Sequence, residues 1–303
     1  MPNLAAQIRV GVGGWTFEPW RDNFYPAGWP QARELEYASR QLSTIEINGT
    51  YYRLQSPSTF AKWRDETPDD FIFSLKASRF ITQRRVLAEA AEPKQRFFGS
   101  GLTELGPKLG PIVWQLAPTH PFEPDDLAAF LQLLPPEHGG LALRHVLDVR
   151  HPSFMTAEYL DLARRHGVAT VFTDADDDPS FADLTGSFVY ARLMRTDAAL
   201  PEGCTPQALE QMAACARVWR DGDEPEGLPR VQPKPPPGAP RDVFLYFISG
   251  AKEKAPAAAM GLLRRMAQTP SDASAARAEP SRSGGRCVER VQALRGADIG
   301  PRA

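Results

Sequence analysis

Along the chain, short runs rich in Val, Ile, Phe and Tyr alternate with longer segments whose apolar positions recur at helical spacing. The runs at 8–15, 43–48, 71–77, 112–116, 143–150, 168–173, 188–194 and 243–248 read as strands. Between them, 31–41, 58–66, 125–134, 157–166, 206–219 and 256–266 read as helices. Ser58 and Thr205-Pro206 supply start signals, and Gly167 follows His166 as a C-terminal cap. Strand and helix alternating in this way predict an α/β fold, a single (β/α)8 TIM-type barrel, with a doubly wound open sheet as the rival. The glycines of the first strand do not make a dinucleotide fingerprint. Gly11-Val12-Gly13-Gly14-Trp15 runs into Thr-Phe-Glu-Pro-Trp rather than a helix, and G-x-G-x-x-G is absent.

Two stretches break the alternation. Prolines crowd 225–240 too densely for a helix or an inner strand, which predicts an extended insertion. From 269 to 303 the chain is Ser, Ala, Gly, Arg and Pro, with six arginines, no lysine and four acids. So little apolar material cannot offset the entropy of ordering, and a disordered tail is expected there. The barrel domain is then 1–268 of the 303 residues.

Composition narrows the setting. With 42% apolar and 24% charged residues, the chain can bury a sizeable core. A net charge of −2 does not support a globally basic nucleic-acid binder, although a local basic patch stays open. No apolar run reaches bilayer length, and MPNLAAQIRV lacks a signal-peptide pattern, so no membrane partner is expected. Cys204, Cys215 and Cys287 are too scattered for a disulfide framework, which points to a cytoplasmic protein.

In a barrel, alternate strand residues face inward and sites gather at strand C-terminal ends. Placing Ile45 and Ile47 outward puts Glu46 and Asn48 inside. The same phasing turns Lys76, Gln115, Asp148, Arg150, Tyr190 and Arg192 inward, with His151 at a strand tip. Buried without partners these groups would be costly, so they pair with each other, with water or with a ligand. A salt-bridge lattice plugging the mouth would satisfy them; a ligand site is the preferred reading because these barrels carry sites on this face.

Lys76, Arg150 and Arg192 suit an anionic or phosphorylated ligand, gripped by guanidinium forks and a lysine point charge. A lysine with a depressed pKa can also serve as base or nucleophile. Glu46 and Asp148, with His151, are the candidate proton-handling groups; His151 before Pro152 equally fits a structural cap. Trp15, Asn48, Tyr51 and Gln115 complete the candidate ligand-binding set. Trp15, Phe17, Trp20, Phe24, Tyr25, Tyr51, Tyr52 and Phe80 gather near strand exits, to stack on a sugar or base or to pack a lid. No metal is expected, since H-E-x-x-H and Cys/His clusters are missing, and no cofactor is indicated. The run Asp174-Ala175-Asp176-Asp177-Asp178 lacks the glycine and distal Glu of a calcium loop and reads as a solvated loop.

A set of short motifs adds to this reading. Gly13-Gly14-Trp15, Phe24-Tyr25-Pro26, Glu46-Ile47-Asn48-Gly49-Thr50-Tyr51-Tyr52-Arg53, Thr67-Pro68-Asp69-Asp70-Phe71, Phe73-Ser74-Leu75-Lys76, Phe80-Ile81-Thr82, Gln115-Leu116 and Arg150-His151-Pro152-Ser153-Phe154 occur in this order. In this the chain resembles the YecE-like family, catalogued as domain of unknown function 72. The resemblance covers most of 8–266 and implies a TIM-type barrel; it implies no activity or cofactor. Three stretches depart from the family pattern. Asp148 stands where a Glu is common, Met194 where the seventh strand usually ends in His, and Ile248-Ser249-Gly250 where the eighth usually ends in Asn-Asn-Asp.

The leading expectation is an enzyme acting on a small anionic or phosphorylated, sugar-like substrate, its chemistry open between hydrolase, isomerase and lyase. The alternatives are a nucleic-acid-binding or phosphodiester-acting barrel, and a non-catalytic pseudoenzyme that has lost the departed polar groups. Oligomeric state is left open.

Overall fold

The structure is a computed structural model and describes residues 6–267. The tail expected to be disordered, with Cys287, lies outside the described residues. Eight parallel strands close into a barrel: β1 (Ile8–Gly13), β2 (Thr44–Ile47), β3 (Ile72–Lys76), β4 (Leu109–Gln115), β5 (His145–Asp148), β6 (Ala169–Thr173), β7 (Val189–Leu193) and β8 (Val243–Phe247). Each pairs with its sequence neighbour and β8 returns to β1, with Val12 opposite both Ile45 and Phe247. The open-sheet rival is thereby set aside.

Outside the strands run α1 (Glu34–Gln41), α2 (Pro57–Asp65), α3 (Ala91–Phe98), α4 (Pro124–Leu133), α5 (Ala157–Arg165), α6 (Pro206–Arg220) and α7 (Ala255–Ala267). Thr205 caps α6 by accepting from the Ala208 N–H at 3.1 Å. At α2 the cap is Ser56 rather than Ser58: Pro57 takes the first helical position, where its missing N–H costs nothing. Helix α3 has no counterpart in the sequence reading, because Pro93 interrupts its pattern.

Alternation along the strands produces two apolar layers. Val12, Ile45, Phe73, Leu75 and Trp114 face outward onto the helices. Val113, Val146, Val171, Tyr190, Phe244 and Tyr246 fill the barrel itself. Gly11 shows how tight that interior is, since a Cβ there would lie 1.8 Å from the Thr44 carbonyl oxygen.

No helix follows β6. Residues 174–188 carry none, and the Pro-rich 225–240 stretch, free of helix and strand, lies against this loop as a strap. The Asp183 carboxylate accepts from the Val231 and Gln232 N–H groups at 2.8 and 2.9 Å, and the Ala182 N–H donates to the Pro229 carbonyl. Arg230 pairs with Glu224 and Asp183. Leu228 and Val231 add their side chains to the outer apolar layer. Among the described residues no helix is long and apolar enough to cross a membrane.

Candidate functional site at the barrel mouth

The polar groups phased inward by the sequence meet at the C-terminal ends of β2–β7. Arg192, 1% exposed, is their hub. Its Nε donates to Glu46 Oε2 at 3.0 Å and its Nη2 to Glu46 Oε1, while Nη1 donates to Asp148 Oδ2 at 2.7 Å and to Gln115 Oε1 at 2.9 Å. Glu46 Oε2 also accepts from the Tyr190 hydroxyl at 2.7 Å. Burial pushes the Glu46 carboxyl up, but Arg192 and Tyr190 outweigh it and hold it below the usual range. Arg192 is itself raised, because Glu46 and Asp148 overcome its desolvation. The Arg192–Glu46 pair at the centre of this lattice is charged and hydrogen-bonded on both carboxylate oxygens.

Arg150 extends the lattice toward solvent. Its Nη2 donates to Asp148 Oδ2 at 3.1 Å and to Gln115 Oε1 at 3.3 Å, and its Nη1 lies 3.5 Å from Asp178 Oδ2. The acidic run after β6 is thus a solvated loop only in part. Asp176 and Asp177 are exposed, whereas Asp178 turns in to meet Arg150 and Asp174 accepts from the Met194 N–H. Burial raises the carboxyls of both inward members.

Lys76 stands apart. Its Nζ sits 4.2 Å from the centre of the Tyr51 ring, and among the described residues no carboxylate comes within 4 Å of it. Burial, reinforced by Arg192, lowers its pKa to about 8 despite attraction from Glu46 and Asp148. His151 behaves as a cap. Its Nδ1 accepts from the Ser153 N–H at 3.2 Å and lies 2.7 Å from the Ser153 hydroxyl, which in turn accepts from the Phe122 N–H. That arrangement places the imidazole proton on Nε2.

Beside the lattice lies a cleft of about 430 Å³ lined by Trp15, Phe17, Asn48, Tyr52, Ile248 and Lys252. Gly13 lets it form, because a Cβ there would approach Asn48 Nδ2 to 2.9 Å and Ile248 Cδ1 to 3.1 Å. Of the exit aromatics, Trp15, Phe17 and Tyr52 line this cleft, while Trp20, Phe24 and Tyr25 are buried in mutual ring contacts. Sequence reasoning missed Lys252, whose Nζ lies 4.3 Å from the Phe17 ring centre. Its position just past β8 was the available signal. No group of three or more His, Cys, Asp or Glu suited to a metal occurs among the described residues.

This mouth can be set beside known proteins. A family model described as "Protein of unknown function DUF72" matches residues 9–283. The chain belongs to the DUF72 family. The UPF0759 protein YecE of Escherichia coli K12 is 32% identical over 123 residues, 40% of this chain and 42% of that protein. The UPF0759 protein YunF of Bacillus subtilis is 26% identical over 116 residues, 37% of this chain and 40% of that one. Each match spans less than half the length of the relative. The crystal structure of a DUF72 family protein from Thermotoga maritima superposes with a TM-score of 0.65 at 19% identity, covering 86% of this chain and all (100%) of that one. That likeness agrees with the closed barrel. Within the DUF72 pattern, the departed positions are now placed: Met194 is tied by its backbone to Asp174, and Ile248 packs over Gly13 with the interior apolar cluster.

Proposed function

We propose that the protein is an enzyme acting on a small anionic, phosphorylated or sugar-like substrate at the C-terminal face of the barrel. The observation that carries this reading is Lys76. It is a buried amine held without a carboxylate partner, at a cost to the fold, beside the paired charges of Arg192 and Glu46. A pKa of about 8 keeps it mostly cationic at neutral pH, yet ready to give up or regain a proton.

The roles then divide more sharply than the inward phasing alone implies. Lys76 and Lys252 take the anionic group, and Lys76 exchanges a proton with the substrate. Trp15, Phe17 and Tyr52 offer ring faces to an apolar or sugar-ring surface, with Asn48 as a polar contact. Glu46 and Arg192 act as positioning residues, since their charged atoms are spent within the lattice, whereas Asp148 and Gln115 join it through Oδ2 and Oε1 alone. Arg150, half-buried at the edge, can turn from Asp178 toward a ligand.

Calorimetric titration with a panel of sugar phosphates tests the reading. At least one should bind, and Lys76→Met and Lys252→Met should each weaken it by roughly tenfold or more, as loss of a charged contact does. Unchanged affinity in a folded Lys76→Met protein would overturn the assignment.

The apolar Met194 and Ile248 favour a second reading, a binding protein derived from an enzyme. Met194→His combined with Ile248→Asn discriminates the two: turnover gained only in that double variant supports the second.

A further inference from the structure

Among the described residues, the large apolar side chains left exposed are Tyr52, Leu54, Phe80 and Val86. All four sit on two adjacent connections, β2 to α2 and β3 to α3. Tyr52 and Phe80 are each 62% exposed, and the Arg79 guanidinium lies between them, 5.9 and 5.5 Å from the two ring centres. Residues 48–64 and 71–88 contain no Asp or Glu at all, while Arg53, Arg79, Arg84 and Arg85 fall within them. The nearest acids in sequence are Asp65, the last residue of α2, with Glu66, Asp69 and Asp70 beyond it toward the far end of the barrel, and Glu89, which follows the second stretch. A chain with net charge −2 therefore carries a cationic, aromatic face confined to one side of its mouth.

We infer that this face binds a single-stranded nucleic acid. Two open rings flanking a guanidinium match alternating bases and phosphates, because any base can stack on a ring and any phosphate can meet the arginines. The face also leads onward in two directions. Tyr52 belongs to the wall of the 430 Å³ cleft. Arg84 and Arg85 line a neighbouring cavity of about 660 Å³ with Gln83 and His120, in which Glu123 is the acid. His120 is buried there, and burial lowers its pKa. Glu89 draws on Arg84 from 3.7 Å, which leaves Arg53, Arg79 and Arg85 as the arginines of the face with no carboxylate within 4 Å among the described residues. An anionic membrane would also meet the cations. The exposed apolar area, however, is mostly two flat rings rather than an aliphatic wedge, and this favours bases.

The inference stands apart from the role proposed for Lys76, since binding on this face requires no turnover. Fluorescence anisotropy of the full chain with a labelled oligothymidylate about 20 nucleotides long tests it. Binding is expected at about 50 mM salt and should weaken steeply toward about 200 mM. Tyr52→Ala and Phe80→Ala should each weaken binding roughly 5- to 150-fold, the range for one lost stacked base. Arg79→Ala and Arg85→Ala should each reduce the log–log salt slope by about 0.7. Arg165→Ala, an exposed cation at the other end of the barrel, should leave both quantities unchanged. The inference fails if the single strand does not bind at low salt, if a duplex of equal length binds as well, or if the folded Tyr52/Phe80 double variant binds undiminished. It also fails if phosphatidylglycerol vesicles bind where the oligonucleotide does not.

Discussion

Arg192 grips Glu46 with two guanidinium nitrogens across the barrel, from β7 to β2, and neither side chain has appreciable contact with solvent. Removing the Glu46 charge takes away one of the two carboxylates that balance the buried Arg192 and leaves Asp148 as the other. Glu46→Gln should therefore lower unfolding free energy by about 3–5 kcal/mol, read from urea denaturation. A loss below about 1 kcal/mol would mean that this pair is far less desolvated than its geometry implies.

Lys76 makes the opposite prediction. Its pKa of about 8 lies below its ordinary 10.5, so between those values the unfolded chain binds more protons than the folded one. Stability from this group is thus lowest below pH 8 and recovers as pH rises toward 10.5. Lys76→Met should be the more stable protein at pH 7, by up to ~3 kcal/mol, with the gap closing at alkaline pH. Parallel melting curves of the two proteins across that window give the answer, and a constant gap would exclude a depressed amine.

Two glycines of β1 should respond differently to one added methyl. In Gly11→Ala the Cβ meets backbone of β2, which cannot yield, so a loss of at least ~3 kcal/mol is expected. In Gly13→Ala it meets the ends of the Asn48 and Ile248 side chains, which can turn aside. That variant should stay within ~1–2 kcal/mol of wild type in thermal denaturation, yet lose ligand affinity as the cleft fills.

Asp183→Ala should release the strap. Two N–H groups lose their acceptor at a cost of about 1–3 kcal/mol. Limited proteolysis should then cut near 230 faster than in the wild-type chain while sparing the strands. Equal cutting rates would show that the strap is held mainly by Arg230 and its apolar contacts.

How much of this was legible follows from which forces act locally. Period-two alternation revealed the eight strands and the inward phase of Glu46, Lys76, Asp148 and Arg192, because burying one face leaves a trace at every second residue. Which inward groups pair with which was hidden. Nothing near position 192 says that Arg192 meets Glu46 and Asp148 while Lys76 meets an aromatic ring. The same holds for Asp178, whose run of acids reads as solvent-loving until Arg150 is brought opposite. Lys252, and the place where the predicted proline-rich insertion packs, escaped for a related reason. Both acquire their meaning from residues far away in sequence, Phe17 and Asp183. The absence of a helix after β6 left no sequence signal, since the 174–188 loop is held by a proline-rich tract some fifty residues later.

That strap has a consequence for how the barrel is closed. Its seven prolines between 225 and 240 already restrict the chain before folding, so laying it against the 174–188 loop surrenders less freedom than ordering an unrestricted segment there would. Both ends of the tract leave from the face opposite the mouth, after α6 and before β8. The strap can therefore be lengthened, shortened or decorated around its exposed Pro236 and Gly238 without disturbing the residues that meet a ligand. The molecule thus carries a built-in point of attachment on its side, mechanically separate from its chemistry.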